Sequence, residues 1–377
     1  MKKNLTILIL LICFSCLKNN KDKVVKKNIS LVTELDLCSN YDMKWSKPHY
    51  ISQLFWRLNS TKQTLSLKDS LINKLKIVRL DISSSNLKSL PQELFLFENL
   101  EELDISNNKF EDTEQLILDL KKLPNLKLLA FRYSKLKKLP ENIGILNNLE
   151  GISLDGNILR SAESIGELNN LKYLSFRRNK KLKELPSSIN KLKCLQLLDV
   201  SGSGIERLRD ELSECIQLKS ILANASKISF ITENIGDLFN LRNLNLGYNK
   251  LKNIPTTIGD LEFLEDLSLG SNEIEFLPES VSKLQNLDAI GLEYNRFKEF
   301  PKSVLKLNKL RLLKLHNNNI PEIPIEVAKL PFLSLLYVDH EVISDDNINQ
   351  LKEKNKKLKV KRHDALRRAP GKIKRKI

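Results

Sequence analysis

Four consecutive segments between residues 241 and 332 repeat a single 23-residue pattern. The first reads LRNLNLGYNKLKNIPTTIGDLEF, and the second reads LEDLSLGSNEIEFLPESVSKLQN. Apolar residues occupy positions 1, 4, 6, 11, 14, 18 and 21, Asn occupies position 9, and Pro usually occupies position 15. Self-similarity at a period of this size is typical of stacked-repeat proteins, in which each unit buries its apolar face against its neighbours.

The same pattern extends with lower fidelity over residues 77–346. It defines twelve repeats, which start at Ile77, Leu100, Leu126, Leu149, Leu171, Leu195, Leu218, Leu241, Leu264, Leu287, Leu310 and Leu333. Eight of the eleven intervals are 23 residues long, and the longest contains DTEQLILDLKKL, which predicts a helix on the outer side. The two repeats within 195–240 lack both Asn and the Leu-Pro step. We expect looser packing or a change of curvature there, or, as the alternative, sequence drift without consequence.

Each repeat combines a strand signal with a turn signal. Positions 3 to 5 alternate between buried and exposed, which predicts a short strand, and a fixed period stacks such strands in parallel at about 4.8 Å. Asn at position 9 can satisfy backbone groups that the turn leaves unpaired. The predicted structural Asn ladder comprises Asn108, Asn157, Asn179, Asn249, Asn272, Asn295 and Asn318.

The phrase LxxLxLxxNxLxxLPxxIGxLxx resembles the 23-residue leucine-rich repeats of Ras-suppressor and plant Ras-group-related proteins. The resemblance covers residues 77–346. It implies an α/β leucine-rich repeat solenoid that is curved, with parallel strands on the concave face and short helices or 3₁₀ turns on the convex face. It does not imply a particular partner, because function depends on sites added to a fold.

The remaining segments lack the repeat phase. We expect a signal segment at 1–16, a linker and N-terminal cover at 17–53, and a degenerate capping repeat at 54–76. A C-terminal cap is expected at 347–360, and a basic disordered tail at 361–377. The net charge of +16 belongs to the ends, since residues 1–27 carry +6 and residues 350–377 carry +11. The repeats themselves are nearly neutral.

The segment MKKNLTILILLICFSC combines a Lys pair, an apolar run and a final Ser-Cys pair. It resembles the lipobox signal of bacterial lipoproteins, which implies lipidation at Cys16 and a membrane-anchored protein of the cell envelope, at the outer membrane or cell surface. An ordinary cleaved signal or a short uncleaved anchor is the alternative. Cys38, Cys194 and Cys215 remain, and their odd number argues against a disulfide framework.

Catalytic motifs are missing from the sequence. It contains four histidines and shows no phosphate-binding glycine loop, HExxH motif, paired-Cys metal spacing or GxSxG motif. We therefore expect a non-enzymatic protein with no cofactor and no metal.

The outward strand positions 3, 5, 7 and 8 hold the candidate binding residues. Towards the C-terminus these are Tyr248, Glu293, Tyr294, His316, Tyr337, Asp339 and His340. Aromatic rings beside charges and apolar residues favour recognition of a macromolecule, most simply a protein. Two alternatives stay open. Glu293, His316 and Asp339 occupy position 7 of successive repeats, and this acid–His–acid column could hold a metal. The surface could also be solvated and bind no ligand.

A second cluster lies earlier in the chain, at Arg132, Tyr133, Arg177 and Arg178. It is basic and aromatic, which suits an acidic protein patch, a phosphate or an anionic glycan, although a scatter of surface charges is an equal alternative. The basic tail could contact anionic envelope lipid or glycan, or remain solvated. Nucleic acid is not expected, because the signal directs export and the basic residues have no aromatic residues between them.

These patterns together predict an exported, membrane-anchored protein-binding module that recognises its partner on the concave face. An intracellular signalling scaffold is the alternative if the N-terminus is not a signal. A structural or adhesive surface protein without a specific partner is the other.

Overall fold

The computed structural model describes residues 77–363. The predicted segments 1–16, 17–53 and 54–76, as well as residues 364–377, lie outside the described residues. The chain divides into two units, Met1–Lys227 and Ile228–Ile377. The division falls within residues 195–240, where the repeat pattern is weakest.

Unit 1 contains a ladder of short parallel strands. Its strands are β1 (Arg79–Asp81), β2 (Glu102–Asp104), β3 (Leu128–Ala130), β4 (Gly151–Ser153), β5 (Tyr173–Ser175), β6 (Leu197–Asp199), β7 (Arg207–Leu208) and β8 (Ser220–Leu222). Strands β1 to β6 pair in sequence order, and β6 then pairs with β8. The register aligns equal repeat positions, so Leu80 lies opposite Leu103.

Unit 2 continues the same plan. Its strands are β9 (Phe230–Ile231), β10 (Asn243–Asn245), β11 (Asp266–Ser268), β12 (Ala289–Gly291), β13 (Leu312–Lys314), β14 (Leu335–Asp339) and β15 (Lys359–His363). Strands β10 to β15 pair in parallel and in sequence order. The predicted α/β leucine-rich repeat solenoid with parallel strands is confirmed.

The outer segment of most repeats is a five-residue 3₁₀ helix. These helices are Gln92–Leu96, Glu141–Ile145, Glu163–Glu167, Ser187–Lys191 and Asp210–Glu214 in unit 1, and Glu233–Asp237, Thr256–Asp260, Glu279–Lys283, Lys302–Lys306 and Ile325–Lys329 in unit 2. Proline precedes seven of them; Pro140, for example, is extended at φ −56° and ψ 138° before its helix begins. Proline fixes φ and has no N–H, so it suits the position just before a helix.

Two α-helices interrupt this regular pattern. Helix α1 (Thr113–Leu120) confirms the helix predicted in the 26-residue repeat, and the Asp112 side chain caps it by accepting a hydrogen bond from the Gln115 amide. Helix α2 (Asp345–Lys354) begins after Ser344, whose side chain accepts from the Asn347 amide.

The C-terminal end differs from the prediction. The first three residues of the predicted disordered tail, 361–363, belong to strand β15 and pair with β14. These three residues are all basic, so they show no apolar pattern in the sequence. They form a strand because their backbone pairs with the open edge of β14.

The core is formed by the apolar repeat positions. In the repeat that starts at Leu241, the side chains of Leu241, Leu244, Leu246 and Leu251 are all fully buried. Burying one leucine contributes about 1.5–3 kcal/mol before conformational entropy is counted. Ala223 and Cys215 are also fully buried. These two positions within 195–240 are therefore closed to solvent, and the looser packing or altered curvature expected there stays a prediction.

Candidate ligand-binding surface

Position 8 of each repeat turns the backbone immediately after the strand. Eleven residues there have φ between 51° and 67°, namely Ser84, Asn107, Tyr133, Gly156, Arg178, Gly202, Ala225, Tyr248, Ser271, Tyr294 and Asn317. Gly and Asn tolerate this left-handed conformation, whereas other side chains destabilise it by roughly 1 kcal/mol. Three tyrosines and an arginine therefore occupy a position whose backbone conformation favours Gly or Asn.

The seven predicted ladder asparagines bind backbone. Asn108 donates its Nδ2 to the carbonyls of Ile82 (3.0 Å) and Ile105 (2.9 Å), and its Oδ1 accepts from the Leu87 amide (3.1 Å). The other six repeat two of these contacts: each donates to the carbonyl three residues earlier and accepts from an amide in the preceding repeat. Within 77–363, their side-chain amide groups therefore satisfy backbone hydrogen-bonding groups of the turn.

Other side chains take this role where Asn is missing. Ser226 Oγ donates to the carbonyl of Val200 (2.9 Å) and lies 3.3 Å from Ser203 Oγ. After Glu341, the last position 9, Asn347 of α2 donates to the Ile323 carbonyl and accepts from the Ile323 amide. A side-chain amide supplied by the C-terminal cap therefore completes the backbone pairing.

Four aromatic rings meet near the C-terminal end of unit 2. His316 stacks on His363 with ring centroids 4.3 Å apart, and it meets Tyr294 edge-on at 5.5 Å and Tyr337 at 5.9 Å. Three of these rings belong to predicted site residues. His363 was not predicted, because it lies in a basic stretch without periodicity.

His316 is an electrically neutral member of this cluster. Its side chain is 6% exposed, and burial lowers the pKa of His316 to about 4, with His363 and Lys314 lowering it further. Its Nδ1 is buried without a hydrogen-bond partner within the described residues. The ring therefore acts as an uncharged packing surface at neutral pH.

The acid–His–acid column does not form a metal site. Asp339 accepts hydrogen bonds from the amides of Asn317 and Asn318, so its carboxylate caps a turn. His340 is exposed, and its amide donates to the carbonyl of His363 (3.2 Å). Between residues 77 and 363, no group of three or more His, Cys, Asp or Glu side chains is arranged to hold a metal ion.

Glu293 and Tyr248 occupy the middle of the unit 2 strand face. Glu293 lies against the backbones of Gly270 and Gly291, where a Cβ atom would come within 2.7 Å and 2.9 Å of its side chain. Its Oε1 is 3.8 Å from Lys314 Nζ. Tyr248 lies two repeats earlier and is 66% exposed, the largest exposed fraction among the large apolar and aromatic side chains of 77–363.

Two arginines of the second predicted cluster, in unit 1, lie beside buried carboxylates. Arg132 bonds the buried carboxylate of Asp104 and donates its Nε to Ser106 Oγ (3.1 Å). Arg177 lies 3.5 Å from Asp199, which is also buried. Anion binding by Arg132 and Arg177 stays a prediction, and each of these arginines already has a carboxylate beside it.

Tyr133 and Arg178 complete this cluster at its rim. Arg178 donates to the Tyr133 hydroxyl (3.1 Å), and the Tyr133 ring lies where a Cβ on Gly156 would stand. The Tyr133 ring therefore covers Gly156, and Arg178 is bonded to the hydroxyl of that ring.

Buried carboxylates of unit 1 were missed at the sequence level. Glu102 pairs with Arg79 at 2.8 Å, with both side chains under 10% exposed. Burial raises the pKa of Glu102 to about 7 and that of Asp199 to about 6. Burial also raises the pKa of Asp155, which accepts a hydrogen bond from Ser175. Opposite charges at equal positions of neighbouring repeats are the signal that could have found the Arg79–Glu102 pair.

The cysteines show no sign of redox chemistry in the described range. Cys215 is buried, its thiol donates to the Ile189 carbonyl (3.1 Å), and burial raises its pKa to about 12. Cys194 is exposed and unpaired with another cysteine. The proposed lipidation residue Cys16 lies outside the described residues.

Sequence models of leucine-rich repeats match two parts of the chain. A leucine-rich repeat region matches residues 222–291, and a single leucine-rich repeat matches residues 99–123. An internalin (inlF) from Listeria monocytogenes has a similar structure, with a TM-score of 0.64, 18% sequence identity, and coverage of 83% of this chain and 88% of the internalin. The chain has the leucine-rich repeat fold.

Two plant receptors share this architecture. The plant peptide hormone receptor RGFR1, solved in complex with RGF2, gives a TM-score of 0.52 at 26% identity and covers 70% of this chain and 48% of the receptor. The PEPR1–AtPEP1 structure gives 0.53 at 24% identity, covering 72% and 46%. This chain covers less than half of each receptor, over which the leucine-rich repeat architecture is shared.

Curated relatives match part of the chain. TMV resistance protein N of Nicotiana glutinosa is 31% identical over 179 residues, which is 45% of this chain and 15% of that protein. Adenylate cyclase of Schizosaccharomyces pombe is 34% identical over 137 residues, or 35% and 8%. Volume-regulated anion channel subunit LRRC8A of Homo sapiens is 31% identical over 152 residues, or 39% and 18%. The chain spans less than a fifth of each relative.

The helices between residues 77 and 363 include none with the length and apolar character needed to cross a bilayer.

Proposed function

We propose that the chain is a non-enzymatic binding module that recognises a protein partner on the strand face of unit 2. The observation that carries this proposal is the pair of exposed tyrosines, Tyr248 and Tyr294, held at φ 58° and 55°. They are 66% and 39% exposed. Backbone strain kept at exposed aromatic residues is typical of binding sites, because folding alone would favour Gly or Asn there.

The chain itself provides the comparison. Asn107 and Asn317 occupy the same repeat position with φ 54° and 57°. An asparagine is therefore compatible with this turn, and the tyrosines are not required by the fold. Tyrosine offers a large apolar ring with a polar hydroxyl, which suits the centre of a protein interface.

The test is a crosslinking pull-down from the cell envelope of the source organism with full-length baits. The variant Tyr248→Asn/Tyr294→Asn should lose the partner that the wild type captures. The variant Tyr133→Asn, which makes the same change at the same repeat position in unit 1, should retain it. Capture by all three baits would contradict the proposed surface. Capture by none would favour a structural or adhesive role.

The proposal includes export and anchoring through residues 1–16, which resemble a lipoprotein signal. Metabolic labelling with a fatty-acid analogue should mark the wild type and leave Cys16→Ser unlabelled. Full-length unlabelled protein in the cytosolic fraction would instead favour the intracellular scaffold.

A further inference from the structure

We infer that a shallow recess on the strand face of unit 2 binds a basic side chain, lysine or arginine, presented by the protein partner. This inference rests on the proposed function and adds the chemistry that the surface selects. The recess is floored by Gly247, Ser268, Gly270, Ala289 and Gly291, which occupy outward positions of three neighbouring repeats. We call these five residues the glycine recess.

The small side chains of the glycine recess leave space that larger side chains occupy at the equivalent positions of other repeats. The strand next to Gly291 carries Lys314 in the same register, and the one after that carries Tyr337. The side chain that enters the recess belongs to Glu293, whose carboxylate lies against Gly270 and Gly291. A larger residue at either glycine would displace that carboxylate, so the floor and the acid form one unit.

The charges around the recess are unbalanced. Within residues 77–363, Asp266 and Glu293 share a single cation, Lys314, whose Nζ lies 3.8 Å from Glu293 Oε1. The neighbouring acids Asp288 and Glu265 are already paired with Arg311 and Arg242. Burial raises the pKa of Asp266 to about 6, and Lys314 opposes this rise while Asp288 and Glu293 add to it. One more positive charge would compensate the second carboxylate.

Two oxygen atoms at the edges of the recess lack a donor among the residues that the structure describes. Asn243 is 4% exposed, and its Oδ1 is buried without a hydrogen-bond partner. It lies directly opposite Asp266 in the β10–β11 register. Glu293 Oε2 is likewise buried without a partner. A buried acceptor without a donor is unfavourable, and ammonium and guanidinium groups carry only donors.

The tyrosines complete the surroundings. Tyr248 and Tyr294 stand at position 8 of the repeats on either side of the central one, so they lie at the same border of the recess. Their ring faces can attract a cation that the carboxylates hold. Anionic ligands are disfavoured by the two carboxylates, and the residues described contain no metal-ligand cluster.

The inference can be tested with synthetic peptides and the full-length protein. The probes are fluorescent, acetylated and amidated octapeptides of Gly, Ser and Ala with one central residue, which is Arg, Lys, citrulline or norleucine. Fluorescence polarisation should show that the Arg and Lys peptides bind about tenfold more tightly than the citrulline and norleucine peptides, because charged hydrogen bonds exceed neutral ones by about this factor.

Matched variants place this preference at the recess. Glu293→Gln and Asp266→Asn should each reduce the preference for the basic peptides to below about threefold. Glu273→Gln, the same change at an acid paired with Arg296 outside the recess, should leave it unchanged. Circular dichroism melting of each variant checks that it folds. Equal loss in Glu293→Gln and Glu273→Gln, or no preference in the wild type, would overturn the inference.

A further variant tests whether the C-terminal residues of the chain compete with the peptides for the recess. If basic peptides bind only to Arg367→Gln/Arg368→Gln, the chain's own C-terminal residues occupy the recess and the partner assignment is wrong. The proposed function fails separately, since it depends on capture lost with Tyr248→Asn/Tyr294→Asn. Tyrosine-dependent capture without a preference for basic peptides would keep the proposed function and remove the inference about charge.

Discussion

The strand faces of the two units use charged and aromatic residues in opposite ways. In unit 1, Arg79, Arg132 and Arg177 each lie beside a buried carboxylate. In unit 2, Glu293 and Asn243 keep unpaired acceptor atoms, and Tyr248 is largely exposed. On the first face, carboxylates lie beside the arginines, although Arg79 Nη2 and Arg177 Nε have no hydrogen-bond partner within residues 77–363. On the second face, the acceptor atoms without a donor within 77–363 belong to the surface proposed to bind a ligand.

This contrast shows that a charged cluster in the sequence does not indicate a binding site by itself. The arginines of unit 1 are as conspicuous as the tyrosines of unit 2. The difference is that each of these arginines has a carboxylate of a neighbouring repeat beside it, whereas the tyrosines of unit 2 are exposed.

The largest expected effect is the loss of a buried pair in unit 1. Asp104→Ala should lower the free energy of unfolding by roughly 3–5 kcal/mol, because it leaves Arg132 partly buried and uncompensated. The matched change in unit 2 is Glu273→Ala, whose pair with Arg296 is solvent-accessible, and it should lower stability by under about 1 kcal/mol. Urea denaturation of both variants measures the difference. Similar losses would contradict the expected difference between a buried pair and a solvent-accessible pair.

The second effect is a dependence on pH. Burial lowers the folded-state pKa of His316 from its ordinary 6.5 to about 4, so the unfolded chain binds the proton more readily between these values. Its contribution is intact above pH 6.5 and falls as pH drops towards 4, by up to roughly 3 kcal/mol. The carboxyls of Glu102 and Asp199 have raised pKa values and act in the opposite direction, losing stability as pH rises through about 7 and about 6.

Variants isolate the histidine from these acids. Between pH 7.5 and 4.5, His316→Phe should lose less stability than the wild type in urea denaturation. His340→Phe, which changes an exposed histidine, should lose as much as the wild type. Equal pH dependence in His316→Phe and the wild type would contradict burial of a neutral ring.

The smallest effect compares one repeat position in both units. Tyr248→Asn should raise the free energy of unfolding by up to about 1 kcal/mol, because Asn tolerates φ 58° better than Tyr. Tyr133→Asn should give no gain, because it also removes packing on Gly156 and the hydrogen bond from Arg178. Thermal melting of the two variants provides the measurement. A loss of stability in Tyr248→Asn would mean that this tyrosine has a folding role.

Much of the fold could be predicted because each repeat position has one environment. The period placed the strands, the buried leucines and the outer turns, and the 26-residue interval located helix α1. The position-9 asparagines were predicted for the same reason, since a turn that recurs leaves the same backbone groups to satisfy.

The candidate site was predicted less well. The sequence suggested both clusters with equal weight, and it gave no sign that His363 stacks on His316 from a basic strand. It also left the glycine recess unnoticed, because glycines at positions 5 and 7 carry no motif.

The sequence by itself determined the repeat period, the residues that face the core and the backbone ladder, because these follow from the distance at which the chain returns to the same position. Only the tertiary structure decided which side chains of neighbouring repeats pair, as Arg132 does with Asp104, and which remain available, as Tyr248 does. The physical reason is that strand register fixes the spacing of backbones, whereas pairing depends on side-chain length, burial and charge across that spacing.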